Sequence, residues 1–164
     1  MTFAARKRKT SLSNISFSFS KLQAEADFPA TKLSCPNKST NEKSHIEYRK
    51  ASFNLTNAKF IIHAVGPDFS RTPTAFKELF DAYYNSLCVL KENDLHSISF
   101  PLISSGIFGG RLADPVAEST KQCCSAYNKF IMDYPDYEIE VKLCAYTANE
   151  MSTAKTVIDS YKNI

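Results

Sequence analysis

The stretch SISFPLISSGIFGG, residues 97–110, holds three of the four glycines in a chain of 164 residues. Its first half, SISFPLI, reads as a buried strand, and the residues from about Pro115 to Phe130 that follow the glycines read as a helix. Glycines concentrated between a strand and a helix give main-chain N–H groups close access to an anion, because no Cβ stands in the way. In open α/β sheets such loops lie at the carboxyl ends of strands, where the next helix N-terminus adds its partial positive charge. No Lys or Thr stands in P-loop position, and the glycine spacing does not fit G-x-G-x-x-G, so neither common nucleotide motif applies. A plain tight turn is the alternative reading of the same glycines.

The surrounding chain alternates. IEYRKASFN from Ile46 and AKFIIHAV ending at Val65 are strand candidates, the second almost continuously apolar, as in a strand buried on both faces. His63 within it is then expected to be a satisfied core histidine. After Gly66-Pro67, Pro73 opens a long helical pattern with Phe76, Leu79, Phe80, Tyr83, Leu87 and Leu90 at helix spacing. YEIEVKLCAY at 137–146 alternates as a strand, and Ser152 to Tyr161 closes the chain as a helix. Strand and helix in alternation predict an α/β sandwich with a partly parallel sheet.

The N-terminal part differs. Residues 1–45 carry a basic run, Arg6 to Lys9, read as a solvated tail, then Ile15, Phe17 and Phe19 alternating with serines as in a short half-buried strand, then a Pro-, Ser- and Lys-rich loop. The expected division is this segment, 1–45, and a folded domain, 46–164.

Composition narrows the function. A chain with 43% hydrophobic residues, 12 Phe and 8 Tyr buries about 70% of its unfolded surface, enough for one core. The net charge of +3 permits an anionic ligand without calling for nucleic acid. Five cysteines in no paired spacing, Cys35, Cys88, Cys123, Cys124 and Cys144, read as free thiols of a reducing compartment, and the expected location is cytoplasmic. Three scattered histidines give no metal-ligand spacing, and neither a metal nor a cofactor is expected. No apolar run approaches a membrane span, so no membrane partner is expected.

Two motifs in order, KFIIHAVGPDF at 59–69 and SISFPLISSGIFGG at 97–110, with a long helix between them, resemble the macro domain, an ADP-ribose-binding module. KLCAYTANEMSTAKTVI at 142–158 is similar to its last strand and helix. The likeness runs from about Ala51 to the C-terminus and is faint from Lys21 to Lys50. It implies a three-layer α/β/α sandwich with a mixed, partly parallel sheet. It also implies that Ser104, Ser105, Gly106, Ile107, Phe108 and Gly109 contact the diphosphate and distal ribose of ADP-ribose, and that Tyr146 stacks on adenine.

The resemblance fails at the start. Macro domains carry an early Asn-Ala-Ala-Asn-like segment and a first glycine-rich loop, and this chain has no glycine before Gly66. Either the chain is truncated or altered in frame, or ISFSFS replaces a lost strand; missing strands would leave exposed sheet edges prone to pairing. The implied function is weakened binding of ADP-ribose or of ADP-ribosylated protein. The alternatives are a mono-ADP-ribosyl hydrolase, whose catalytic residues the sequence does not identify, and a degenerate remnant that binds nothing tightly.

Overall fold

The computed structural model describes residues 15–18, 46–50 and 60–162. The basic run at Arg6 to Lys9, Phe19, Cys35 and the 27–45 loop lie outside the described residues. In chain order the elements are β1 (Ile15–Ser18), β2 (Ile46–Lys50), β3 (Phe60–Ala64), α1 (Phe76–Glu92), β4 (Ser97–Pro101), α2 (Pro115–Asp133), β5 (Glu140–Cys144) and α3 (Ala148–Lys162). A single 3-10 turn, Ile107–Gly109, sits between β4 and α2.

The strands form a parallel ladder in the order β1-β5-β4 and an antiparallel pair, β2-β3. Parallel neighbours need a crossover, and α2 supplies it between β4 and β5. The register pairs Pro101 with Cys144 and Ser18 with Cys144, so all three strands of the ladder end at one level. The α/β class with both parallel and antiparallel pairing is therefore as expected. The strand at Ile15–Ser18 belongs to the same ladder as β4 and β5.

Helix α1 packs on α2, and α2 on α3, while α1 also touches β2, β3 and β4. Leu79, Tyr83, Leu87 and Leu90 are buried as their spacing requires, but Ala82, Tyr84, Ser86, Cys88 and Val89 are buried as well. A helix covered from several sides loses the narrow stripe of a surface helix. The shared core includes Phe69, Phe130, Val141, Leu143 and Ile158. Strand β3 departs from expectation: Phe60, Ile61 and Ile62 are half-buried and His63 is exposed. Its histidine is therefore not a core residue.

One buried hydroxyl joins α1, β4 and α2. Tyr83 is fully buried and its OH accepts from the Ile103 N–H at 2.9 Å. Tyr83 in turn donates to Ser119 Oγ at 2.7 Å, and Ser119, also fully buried, donates to Ile103 O at 2.7 Å. The three bonds close a ring around the peptide groups that follow β4. The Pro101 carbonyl lies a further 3.3 Å from the Tyr83 hydroxyl. Burial pushes the Tyr83 phenol far above its ordinary value, so the hydroxyl remains a donor at every physiological pH.

A second link between α1 and α2 lies nearer solvent, where Lys129 and the Tyr84 hydroxyl both donate to the Asp133 carboxylate. The Lys129 bond first and the Tyr84 bond second hold Asp133 below its usual range.

Tyr83→Phe leaves the Ile103 N–H without its acceptor and should cost about 1–3 kcal/mol. Met132→Gln, on the exposed side of α2, should stay within about 0.5 kcal/mol; urea unfolding measures both. Because the folded-state value of Asp133 is lowered, its contribution is complete above the unfolded carboxylate value of about 3.9 and disappears as pH falls through the folded one. Asp133→Asn should therefore lose stability at pH 7 and show a flatter acid limb below about pH 4, followed by urea midpoints at successively lower pH.

Candidate ligand-binding site

The hydrogen-bonded ring around Ile103 ends where the glycine-rich loop begins. Ser104 adopts a left-handed backbone, φ 57°, and its hydroxyl donates to the Pro67 carbonyl at 2.8 Å. Ser105 Oγ donates to Leu102 O at 2.9 Å, and the Ser105 N–H points to the same carbonyl at 3.3 Å. The Gly109 N–H closes the 3-10 turn on Gly106 O at 2.9 Å. The side chains of both serines and the N–H groups of Ser105 and Gly109 are thus engaged in shaping the loop. The main-chain N–H groups of Gly106, Ile107 and Phe108 meet no acceptor among the described residues.

The loop lies against the segment that follows β3. Phe69 N–H donates to Phe108 O at 2.9 Å. A Cβ on Gly110, whose φ is +57°, would overlap the main chain of Phe69 and Ser70, and a Cβ on Gly109 would come within 2.8 Å of the Pro115 ring. Asp68 organises its own segment by accepting from the Ser70 N–H through its side chain at 3.0 Å, while its carbonyl accepts from Arg71 and Thr72.

These contacts revise the expected division of labour among the glycines. Gly109 and Gly110 allow close packing of protein on protein. A Cβ at Gly106 meets nothing within 4 Å, so Gly106 alone of the three opens the loop to an approaching group. The expected help from the helix end is revised too: the N-terminus of α2 is capped by Asp114 Oδ1, which accepts from Ala117 N at 2.9 Å, and begins with Pro115, which has no N–H.

Tyr146 follows β5 by two residues. Since Pro101 pairs with Cys144 in a parallel ladder, and neighbouring strands run about 4.8 Å apart, Tyr146 and the loop that follows β4 leave the same end of the sheet. Its ring is 76% exposed, and Ile107 and Phe108 are 93% and 57% exposed. Three large apolar side chains therefore stand in solvent around a run of unengaged N–H groups. Unengaged main-chain donors next to exposed apolar and aromatic side chains can take up an anionic group and offer apolar surface beside it. Among the described residues no three His, Cys, Asp or Glu side chains converge as they would around a metal ion.

The structure thus brings Ser104, Ser105, Gly106, Ile107, Phe108, Gly109 and Tyr146 to one end of the sheet. Sequence reasoning placed Tyr83 on the core side of its helix but missed the bond of its hydroxyl to Ser119, since the two lie 36 positions apart and carry no local signal of the pairing. It also missed the start of α3, which begins at Ala148 rather than Ser152. There the signal was legible: Thr147 and Glu150 have the T-x-x-E spacing of a capping box.

Residues 42–119 match the family model of the Macro domain. The chain is 33% identical over 91 residues to ADP-ribose glycohydrolase MACROD1 of Mus musculus, spanning 54% of this chain and 27% of the mouse protein. It is 39% identical over 67 residues to Polyprotein P1234 of Venezuelan equine encephalitis virus, spanning 40% of this chain and 3% of the polyprotein. Among solved structures, the Oceanobacillus iheyensis macrodomain with ADP superposes with a TM-score of 0.56 at 28% identity, over 65% of this chain and 53% of that one. The Trypanosoma brucei macrodomain in complex with ADP-ribose shares the fold, with a TM-score of 0.52 at 22% identity over 62% of this chain and 40% of that one. The chain thus spans about half of the bacterial domain and about a quarter of the mouse enzyme. The glycine loop after β4, the segment after β3 that supports it and the match over residues 42–119 agree, and over that stretch the chain is similar to the Macro domain.

Proposed function

We propose that this chain binds ADP-ribose, free or attached to protein, with the diphosphate on the loop from Ser104 to Gly109 and adenine on Tyr146. The observation that carries the reading is the run of unengaged N–H groups at Gly106, Ile107 and Phe108, open to solvent at Gly106 and beside an exposed Tyr146. Main-chain donors converging from consecutive residues favour an anion without needing a lysine. The ADP and ADP-ribose bound to related macrodomains support the choice of ligand.

Binding without turnover is the form we favour. Hydrolysis of a ribosyl bond depends on placing water against it, and the first glycine-rich loop on which macro-domain hydrolases rely has no glycines here to build it. The name of the mouse relative, an ADP-ribose glycohydrolase, favours the second reading, a hydrolase. By the resemblance, the early part of a macro domain supplies an acid that recognises adenine and an asparagine on the distal ribose; a chain without both loses about 2–4 kcal/mol, roughly 30- to 1,000-fold in affinity. A cytosolic setting is part of the proposal, supported by the free thiols of Cys88, Cys123, Cys124 and Cys144. All four are buried; burial pushes Cys123 well up and Cys124 up to about 12, which makes these two poor nucleophiles.

Gly106→Val should lower ADP-ribose affinity at least tenfold, to about a tenth or less, in protein that remains folded, since the new side chain enters the space where the phosphate would lie. Gly110→Ala should act in the opposite way, reducing stability through its overlap with Phe69 and Ser70. Calorimetry with ADP-ribose, ADP and adenosine measures binding, a de-ADP-ribosylation assay on a modified protein measures turnover, and urea unfolding measures the stability of both variants. Diphosphate-dependent, salt-sensitive binding and no turnover is the expected result. Absence of binding would identify a remnant, and turnover a hydrolase.

A further inference from the structure

Tyr146 stands in solvent with no ring or side-chain hydrogen-bond partner among the described residues. Its neighbour Ala145 is buried at the end of the β5 segment, so the position of the ring depends on how the main chain leaves the core. That exit is held by Glu150. One carboxylate oxygen, Oε2, accepts from the Tyr146 N–H at 2.7 Å and from the Thr147 N–H at 2.9 Å. Thr147 Oγ1 accepts in return from the Glu150 N–H at 3.2 Å, and the first helical bond runs from Met151 N to Thr147 O at 3.0 Å. An ordinary capping box ties the third helical residue to the cap residue itself; here the carboxylate reaches one residue further, to the aromatic.

We propose that Glu150 is a positioning residue for Tyr146, fixing the angle at which the ring meets the base of the ligand. The inference rests on the reading of Tyr146 as the adenine platform. Glu150 touches no ligand in this scheme; it acts through the Tyr146 main chain. Thr147 shares the helix cap but not the bond to Tyr146, which allows capping and positioning to be separated.

The experiment titrates ADP-ribose and ribose 5-phosphate, which lacks the base, into the whole chain and its variants by calorimetry. Glu150→Ala should weaken ADP-ribose by roughly three- to tenfold, the worth of one hydrogen bond in ordering a partner. Ribose 5-phosphate should change by less than about twofold, as it meets only the loop side of the site. Glu150→Gln keeps an accepting oxygen and should stay near the wild type, whereas Glu150→Asp, shorter by one methylene, should follow Ala and serves if the Ala variant folds poorly. Thr147→Ala frays the cap but leaves the Tyr146 bond, and should preserve the difference between the two ligands. The double variant Glu150→Ala, Tyr146→Ala should bind no more weakly than Tyr146→Ala alone. Equal losses in Thr147→Ala and Glu150→Ala, or equal losses for both ligands, would overturn the inference and leave Glu150 a cap. A loss in Tyr146→Ala with none in Glu150→Ala would overturn it while sparing the functional reading. A wild-type chain that fails to bind ADP-ribose, or a Tyr146→Ala variant that binds it undiminished, would overturn the functional reading and the inference with it.

Discussion

The ring of hydrogen bonds among Tyr83, Ile103 and Ser119 is the constraint on which the described structure turns. A strand that leaves a sheet must satisfy the peptide groups that no longer have a ladder partner, and in a buried position water cannot do it. Here two helices supply the missing partners from their buried faces. One phenol and one hydroxyl set where β4 ends, how α1 and α2 face each other, and the point from which the glycine-rich loop departs. Fully satisfied buried networks of this kind favour one arrangement over its neighbours, because any slip leaves an unpaired polar group in the core.

From that point outward the loop is shaped by the protein rather than left free. Ser104 accepts a left-handed backbone in exchange for its bond to Pro67 O, Gly110 accommodates the main chain at Ser70, and Phe69 bonds to Phe108. Strained or tightly packed residues around three unengaged N–H groups amount to preorganisation, in which the ordering cost is met on folding and not on binding. The same economy explains why Asp114 caps α2 and Glu150 caps α3. With both helix ends filled by the chain's own carboxylates, the loop from Gly106 to Phe108 keeps main-chain donors that meet no acceptor among the described residues.

Much of this was legible in residue order. The apolar run of SISFPLI and the period of α1 identify strand and helix because backbone geometry imposes those periods whatever the fold. The clustering of glycines marks the loop, and Tyr146 follows the last strand. The roles inside the loop were not legible. Gly106, Gly109 and Gly110 are chemically identical, and only their surroundings separate the glycine facing solvent from the two that face Pro115 and Ser70. His63 misled for a related reason: an apolar run predicts burial on both faces only if something packs closely on both, and in β3 His63 is exposed while its apolar neighbours are only half-buried.

By itself the sequence determined the α/β class, the element order beyond Phe60, the glycine loop and the aromatic that follows β5, since each is a local matter of period, backbone freedom or adjacency. The tertiary structure decided what is non-local. Parallel register ends β4 and β5 at one level, so that Tyr146 and the glycine loop leave the same end of the sheet, and the closing of α1 on α2 places Tyr83 within reach of Ser119. No local preference can specify a bond between residues 36 positions apart, because its free energy exists only once the chain between them has folded and water has left.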